Sequence, residues 1–136
     1  MSYARLFYHF VWATKQREAL ITEHNRPAIF ACIVHKVGEF KGYVHALNAM
    51  SDHVHLVVMV PPTVSLAQFI GQVKGSSSHL ASHLPDTDPR VGFAWQDEYG
   101  VLSVSERHLP IVVRYVENQQ QHHAANDLNA ALERFA

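Results

Sequence analysis

A chain of 136 residues with 48% hydrophobic and 17% charged residues is long enough for one packed core and too apolar for a disordered tail or a coiled coil. Its formal charge of −1 speaks against broad nonspecific affinity for phosphate, so contact with nucleic acid would need a locally basic site or recognition by stacking and groove shape. The single cysteine, Cys32, excludes an internal disulfide and a cysteine-built zinc site, which fits a reducing, cytoplasmic setting.

Leu6 to Thr14 mixes aromatic and β-branched residues before the charged turn Lys15 to Glu18, the pattern of a strand. Its apolar run is short and broken by His9, so neither a signal peptide nor a membrane span is expected there. Residues 24–41 place Ile29, Ile33, Val37 and Phe40 at helical spacing, with Pro27 near the start and Gly42 past the end. Tyr43 to Met50 and His53 to Val60 read as two strands joined at Ser51-Asp52, and Pro61-Pro62 ends the second. Leu66, Phe69, Ile70, Val73 and Leu80 then mark one face of a second helix ending near Leu84, with an interruption expected at Lys74-Gly75-Ser76-Ser77-Ser78.

Pro85 to Gly92 is a polar loop, and Phe93 to Gln96 and Val101 to Ser105 are short extended pieces. Pro110 opens a third helix, along which Ile111, Tyr115, Asn118 and His122 are expected on one side; Leu128 to Phe135 forms a last amphipathic segment. The order predicts an α+β, ferredoxin-like or RRM-like fold: a βαββαβ antiparallel sheet with helices on one face, plus C-terminal helices, all in one domain spanning residues 1–136.

Two local patterns carry chemistry. Strand periodicity sends His53 and His55 to the same face, where two imidazoles can share a metal, while Val54, Leu56 and Val58 take the other face. The bland reading is an ordinary histidine pair on a polar sheet face. Tyr115 and Gln119 are one helical turn apart, roughly 6 Å along the axis and about 40° around it, and would project together. A phenol beside an amide oxygen suits phosphoryl transfer; the alternative is a core tyrosine with a solvated neighbour.

Other residues are open to two readings. His9 either joins the histidine pair or is a structural strand residue, and Asp52 either orients an imidazole or forms the turn. Tyr99 is the rival nucleophile but has no ligand partner one turn away. His79 with His83, and His122 with His123, are further pairs for which surface polarity is the simpler account.

Tyr8-His9-Phe10-Val11-Trp12 with Thr14-Lys15-Gln16-Arg17, Asp52-His53-Val54-His55-Leu56, Lys74 to Ser78, Trp95-Gln96 with Tyr99-Gly100, and Tyr115-Val116-Glu117-Asn118-Gln119 together resemble the single-tyrosine HUH transposases of small insertion sequences, including those associated with repetitive extragenic palindromes. The resemblance runs nearly end to end. It implies that Tyr115 is the nucleophile and that His53, His55 and Gln119 hold Mg²⁺ or Mn²⁺. It also implies cleavage and rejoining of hairpin-bearing single-stranded DNA through a 5′-phosphotyrosine, by a homodimer in which Tyr115 of one chain can serve the other's site. Lys15, Arg17, Lys74, Ser76 and Arg114 are the candidate DNA contacts, and no membrane association is expected. The competing expectations are a domesticated or inactive hairpin-binding module of the same fold, and a metal phosphodiesterase that activates water.

Overall fold

A computed structural model describes residues 2–119 and 130–133. Seven-residue β1 (Phe7–Ala13) runs into a single 3₁₀ turn, Lys15–Arg17, in which Gln16 and Arg17 take left-handed φ values of 55° and 54°. Then follow α1 (Arg26–Glu39), β2 (Tyr43–Ala49), β3 (His53–Met59), α2 (Leu66–Ser82), β4 (Gly100–Val104), α3 (Leu109–Glu117) and the short α4 (Ala130–Glu133). The sheet order is β2-β3-β1-β4 with every neighbouring pair antiparallel, the expected split βαββαβ arrangement.

Central strands β1 and β3 are buried on both faces because different layers cover each side. Phe10 and Trp12 of β1 and Val54, Leu56 and Val58 of β3 face α1 and α2, where Ile29, Ile33, Val37, Phe69, Ile70 and Val73 complete the main core. On the opposite face α3 lays Val112 and Val116 against Ala46 and Val57. That partial cover leaves the end of β3 that carries the histidines beyond the apolar contact. An unequal sheet also follows, since β2 is broken by a bulge between Val44 and Ala46 while β4 pairs with β1 without a register shift.

The chain departs from expectation in two places. First, α2 runs unbroken through Lys74–Ser78. Ser77 Oγ donates back to the Val73 carbonyl at 2.8 Å and accepts from Trp95 Nε1 at 3.0 Å, so a tertiary contact offsets the weak helix propensity of the glycine-serine run. Second, α3 ends at Glu117 with Asn118 as its cap, so Gln119 lies past the helix that carries Tyr115. The buried stripe of α3 is Val112 and Val116, and Ile111 is 55% exposed. His122, His123 and most of Leu128 to Phe135 lie outside the described residues; Ala130–Glu133 within that segment is helical.

Gly42 follows α1 where the chain turns into β2. A Cβ there would lie 2.8 Å from the Met59 carbonyl oxygen and 3.0 Å from Val37, so only glycine fits the close approach of the α1 end to β3. Among the described residues no helix is long and apolar enough to cross a membrane.

Candidate metal and tyrosine site

The site grows from the pairing of β1 with β3. Val11 faces His55, Ala13 faces His53, and His9 faces Val57, which puts three imidazoles on the sheet face that α3 covers incompletely. Their burial is nearly complete, at 1% exposure for His9, 2% for His53 and 0% for His55. Each ring of the pair is held by its Nδ1. His53 Nδ1 lies 2.7 Å from Asp52 Oδ1, and Asp52 Oδ2 accepts from Arg17 Nε at 3.1 Å. His55 Nδ1 lies 2.9 Å from His9 Nε2.

Holding both Nδ1 atoms turns both Nε2 atoms toward one point, and a carboxylate meets them there. Glu133 Oε1 is 3.1 Å from His55 Nε2 and 3.5 Å from His53 Nε2. The other oxygen, Oε2, accepts a hydrogen bond from the Tyr115 hydroxyl and another of 3.1 Å from Gln119 Nε2. Asn48 Nδ2 donates to the Val116 carbonyl at 2.9 Å, which ties the end of α3 to β2 and fixes the approach of Tyr115. The structure thus brings His53, His55, Tyr115 and Gln119 together, and adds Asp52, His9 and Glu133.

The electrostatics follow from burial and these contacts. Burial removes the His9 ring from water and, with His55 beside it, lowers its pKa from 6.5 to about 3, so the ring is neutral. Burial opposes ionisation of Glu133, but hydrogen bonds from His53, His55 and Tyr115 outweigh it and hold the carboxyl well below the usual carboxylate range. Asp52 is depressed in the same way, its burial overcome by His53 and Arg17.

The donor chemistry fits a divalent ion. One ligand atom each from His53, His55 and Glu133 lies within 4.8 Å of the others, the spacing of a coordination triangle. Gln119 is 0% exposed and its Oε1 has no hydrogen-bond partner among the described residues. A buried amide oxygen left without a donor is costly unless a cation or another donor approaches it.

The remaining candidates fall elsewhere. Lys15 and Arg17 are exposed and line a groove of about 850 Å³ with Ala94 to Glu98, beside His53. Arg114 is exposed on α3, and Ser76 is half-buried on α2, in the layer away from the histidines. The Lys74 ammonium is engaged by the Gln96 and Glu98 carbonyls at 2.6 and 3.1 Å, and burial lowers its pKa. Tyr99 packs on Phe10 in the main core under the Lys74 ammonium, on the far side of the sheet from the metal triangle. His79 and His83 stack on α2, with His83 Nδ1 donating to the His79 carbonyl at 2.7 Å.

The sequence profile of the IS200-like transposases matches residues 2–119, which spans the sheet, both main-core helices, α3 and Gln119. The chain belongs to the IS200-like transposase family. The ISDra2 transposase TnpA of Deinococcus radiodurans is 26% identical over 119 residues, covering 85% of this chain and 84% of that protein. The transposase for insertion sequence element IS200 of Salmonella typhimurium is 37% identical over 73 residues, or 52% of this chain and 47% of its own length. Among solved structures, a transposase candidate from Deinococcus radiodurans R1 superposes with a TM-score of 0.70 at 29% identity, covering 87% of this chain and 93% of that one. A REP-associated tyrosine transposase bound to a REP hairpin shares the fold, with a TM-score of 0.66 at 15% identity over 90% of this chain and 72% of that one.

Two residues of this IS200-like site had weak or no signal in the sequence. His9 shares strand parity with Val11, but its meeting with His55 depends on the register of β1 against β3. Glu133 lies 78 residues from His55 and outside the region the family profile matches, and nothing local marks it.

Proposed function

We propose that this transposase cleaves and rejoins single-stranded DNA at hairpin-bearing ends through a 5′-phosphotyrosine on Tyr115, with Mg²⁺ or Mn²⁺ held by His53, His55 and Gln119. The observation that carries the reading is the convergence of both Nε2 atoms, the Gln119 amide and the Tyr115 hydroxyl on the single carboxylate of Glu133. A pure hairpin binder has no use for a tyrosine hydroxyl beside a ligand triangle. Glu133 supplies the anionic member of the donor set, and its second oxygen orients the tyrosine hydroxyl toward the same point.

A bound divalent ion would polarise the scissile phosphate and stabilise charge on its oxygens. The chain's own residues do the rest. Asp52 and His9 fix the outer nitrogens of the histidine pair, and Asn48 fixes the end of α3. The tyrosyl oxygen bonds to phosphorus as the bond from phosphorus to the 3′ oxygen breaks. The phenolic proton that Tyr115 loses is balanced by the proton that the departing 3′-hydroxyl takes up. Attack by another 3′-hydroxyl reverses the step and joins the strands without an external energy source.

Hairpin recognition is supported by the shared fold of the REP-hairpin complex and by a charge balance too acidic for affinity from phosphate contacts alone. Arg17 and Lys15, at the groove beside His53, and Arg114 on α3 are the proposed phosphate contacts. Incubating the protein with a 3′-labelled hairpin oligonucleotide and Mn²⁺ is expected to give a labelled protein–DNA species that survives denaturation and is destroyed by protease. Hairpin binding without any such species would support the inactive-binder reading instead. Release of a free 5′-phosphate with no adduct would support the water-activating phosphodiesterase.

Two DNA ends need two tyrosines, so we propose a homodimer as the working unit. The regular β4 edge supports such a pair better than the bulged β2 edge, because an unbroken ladder can continue across a two-fold axis. Tyr115 here lies against His55 and Glu133 of its own chain. A mixture of Tyr115→Phe and His53→Ala proteins, allowed to exchange subunits, is therefore expected to stay without cleavage. Recovered cleavage in that mixture would show that the tyrosine crosses to the partner.

A further inference from the structure

We propose that His9 is a positioning residue that holds His55 in the tautomer whose bare Nε2 faces the metal position. The inference rests on the metal reading above. A neutral imidazole carries one proton, so a ligating Nε2 requires that proton on Nδ1, where it needs an acceptor. For His53 the acceptor is the Asp52 carboxylate, which can only accept. For His55 the group within reach is His9 Nε2 at 2.9 Å. The two rings lie within 21° of parallel with centroids 5.1 Å apart, and exposures of 1% and 0% take both out of bulk water.

An imidazole in the carboxylate's place has a consequence that an aspartate would not. His9 Nδ1 has no hydrogen-bond partner among the described residues, so nothing pins the His9 proton to either nitrogen. With the proton on Nδ1, His9 accepts from His55 and the His55 Nε2 lone pair is available to a metal. With the proton on Nε2, His9 donates to His55 and the His55 Nε2–H points at Glu133 Oε1, 3.1 Å away. The same pair of rings therefore suits both the metal-loaded site and the site closed on its own glutamate. His9 keeps His55 in register through either state without exposing a charge in the dry interior.

The test compares Mn²⁺ affinity, read by electron paramagnetic resonance, in the unchanged chain and in His9→Phe and His9→Gln. Phenylalanine keeps the ring volume and removes the acceptor, and is expected to weaken Mn²⁺ binding by about 10- to 100-fold. Glutamine places an amide near the lost Nε2 and should restore affinity to within about threefold, which a purely space-filling role would not do. Nitrogen-proton correlation spectra with Mg²⁺ should show the His55 proton on Nδ1 in the unchanged chain and a mixture of tautomers in His9→Phe. If phenylalanine prevents folding, His9→Leu is measured against the same thresholds. Tight Mn²⁺ binding and a single His55 tautomer in a folded His9→Phe protein would overturn the role of His9 alone. Failure of the unchanged chain to bind Mn²⁺ would overturn the metal reading beneath it.

Discussion

Replacing Tyr115 by phenylalanine is expected to abolish the protein–DNA adduct and to lower cleavage by roughly 10⁴-fold or more, the scale seen when a covalent nucleophile is removed. The substitution deletes one oxygen. It also deletes the hydrogen bond to the Glu133 carboxylate, worth about 1.5–3 kcal/mol for a charged acceptor, while leaving the half-buried ring against the α3 contact with β2 and β3. Hairpin binding should therefore stay within about twofold, since no proposed phosphate contact is touched. Denaturing gels with end-labelled hairpin DNA read the first quantity and a filter-binding titration the second. An adduct that persists in the variant would move the nucleophile to another residue. Tyr99 is a poor replacement, because it sits in the main core on the other side of the sheet from the histidines.

His55→Ala is expected to remove Mn²⁺ binding and cleavage together, with cleavage down by on the order of 10³-fold, equivalent to losing about 4 kcal/mol of transition-state stabilisation. His53→Ala should behave similarly. The two differ in what they leave behind. Without His53, Asp52 keeps its bond to Arg17 and part of its compensation. Without His55, both His9 and Glu133 lose a partner inside the protein, so the greater loss of melting temperature is expected in that variant. Calorimetric titration with Mn²⁺ and thermal melts of the metal-free proteins separate the two effects. Undiminished cleavage by His55→Ala in a strong chelator would end the metal assignment.

Much of this was legible because period-two and period-3.6 patterns are local. Val54, Leu56 and Val58 alternate with His53, Val57 and His55 whatever the rest of the chain does, and Ile29, Ile33 and Val37 mark α1 from spacing alone. Phase was harder. Pro110 announces a helix start without saying which residue faces the sheet; the structure buries Val112 and Val116 and leaves Ile111 exposed. The Tyr115 and Gln119 pair illustrates a second limit. Their proximity is real, yet it does not come from one helix turn: Asn118 caps α3, and Gln119 returns to the site from beyond the cap. Lys74 to Ser78 looks like a break because propensity does not know that Trp95 will donate to Ser77. His9 is visible on its strand as an open alternative, but its meeting with His55 depends on the register of β1 against β3, and Glu133 depends on where α4 docks and has no local mark.

Lys74 has a bearing on how genetic data for this protein should be interpreted. It belongs to the helix layer, yet its ammonium clamps the backbone at Gln96 and Glu98. That segment in turn bonds to the strand opposite the histidines, with the Gln96 amide on the Ala13 carbonyl and the Lys15 amide on Ala94. Ala13 is the direct cross-strand neighbour of His53. A screen for transposition-dead variants is thus expected to score Lys74 alongside the proposed phosphate contacts Lys15 and Arg17, whether or not it touches DNA, so such hits alone do not trace a DNA footprint. Salt dependence is what sorts them, since loss of a phosphate contact flattens the slope of affinity against salt whereas a collapsed clamp lowers activity at every ionic strength.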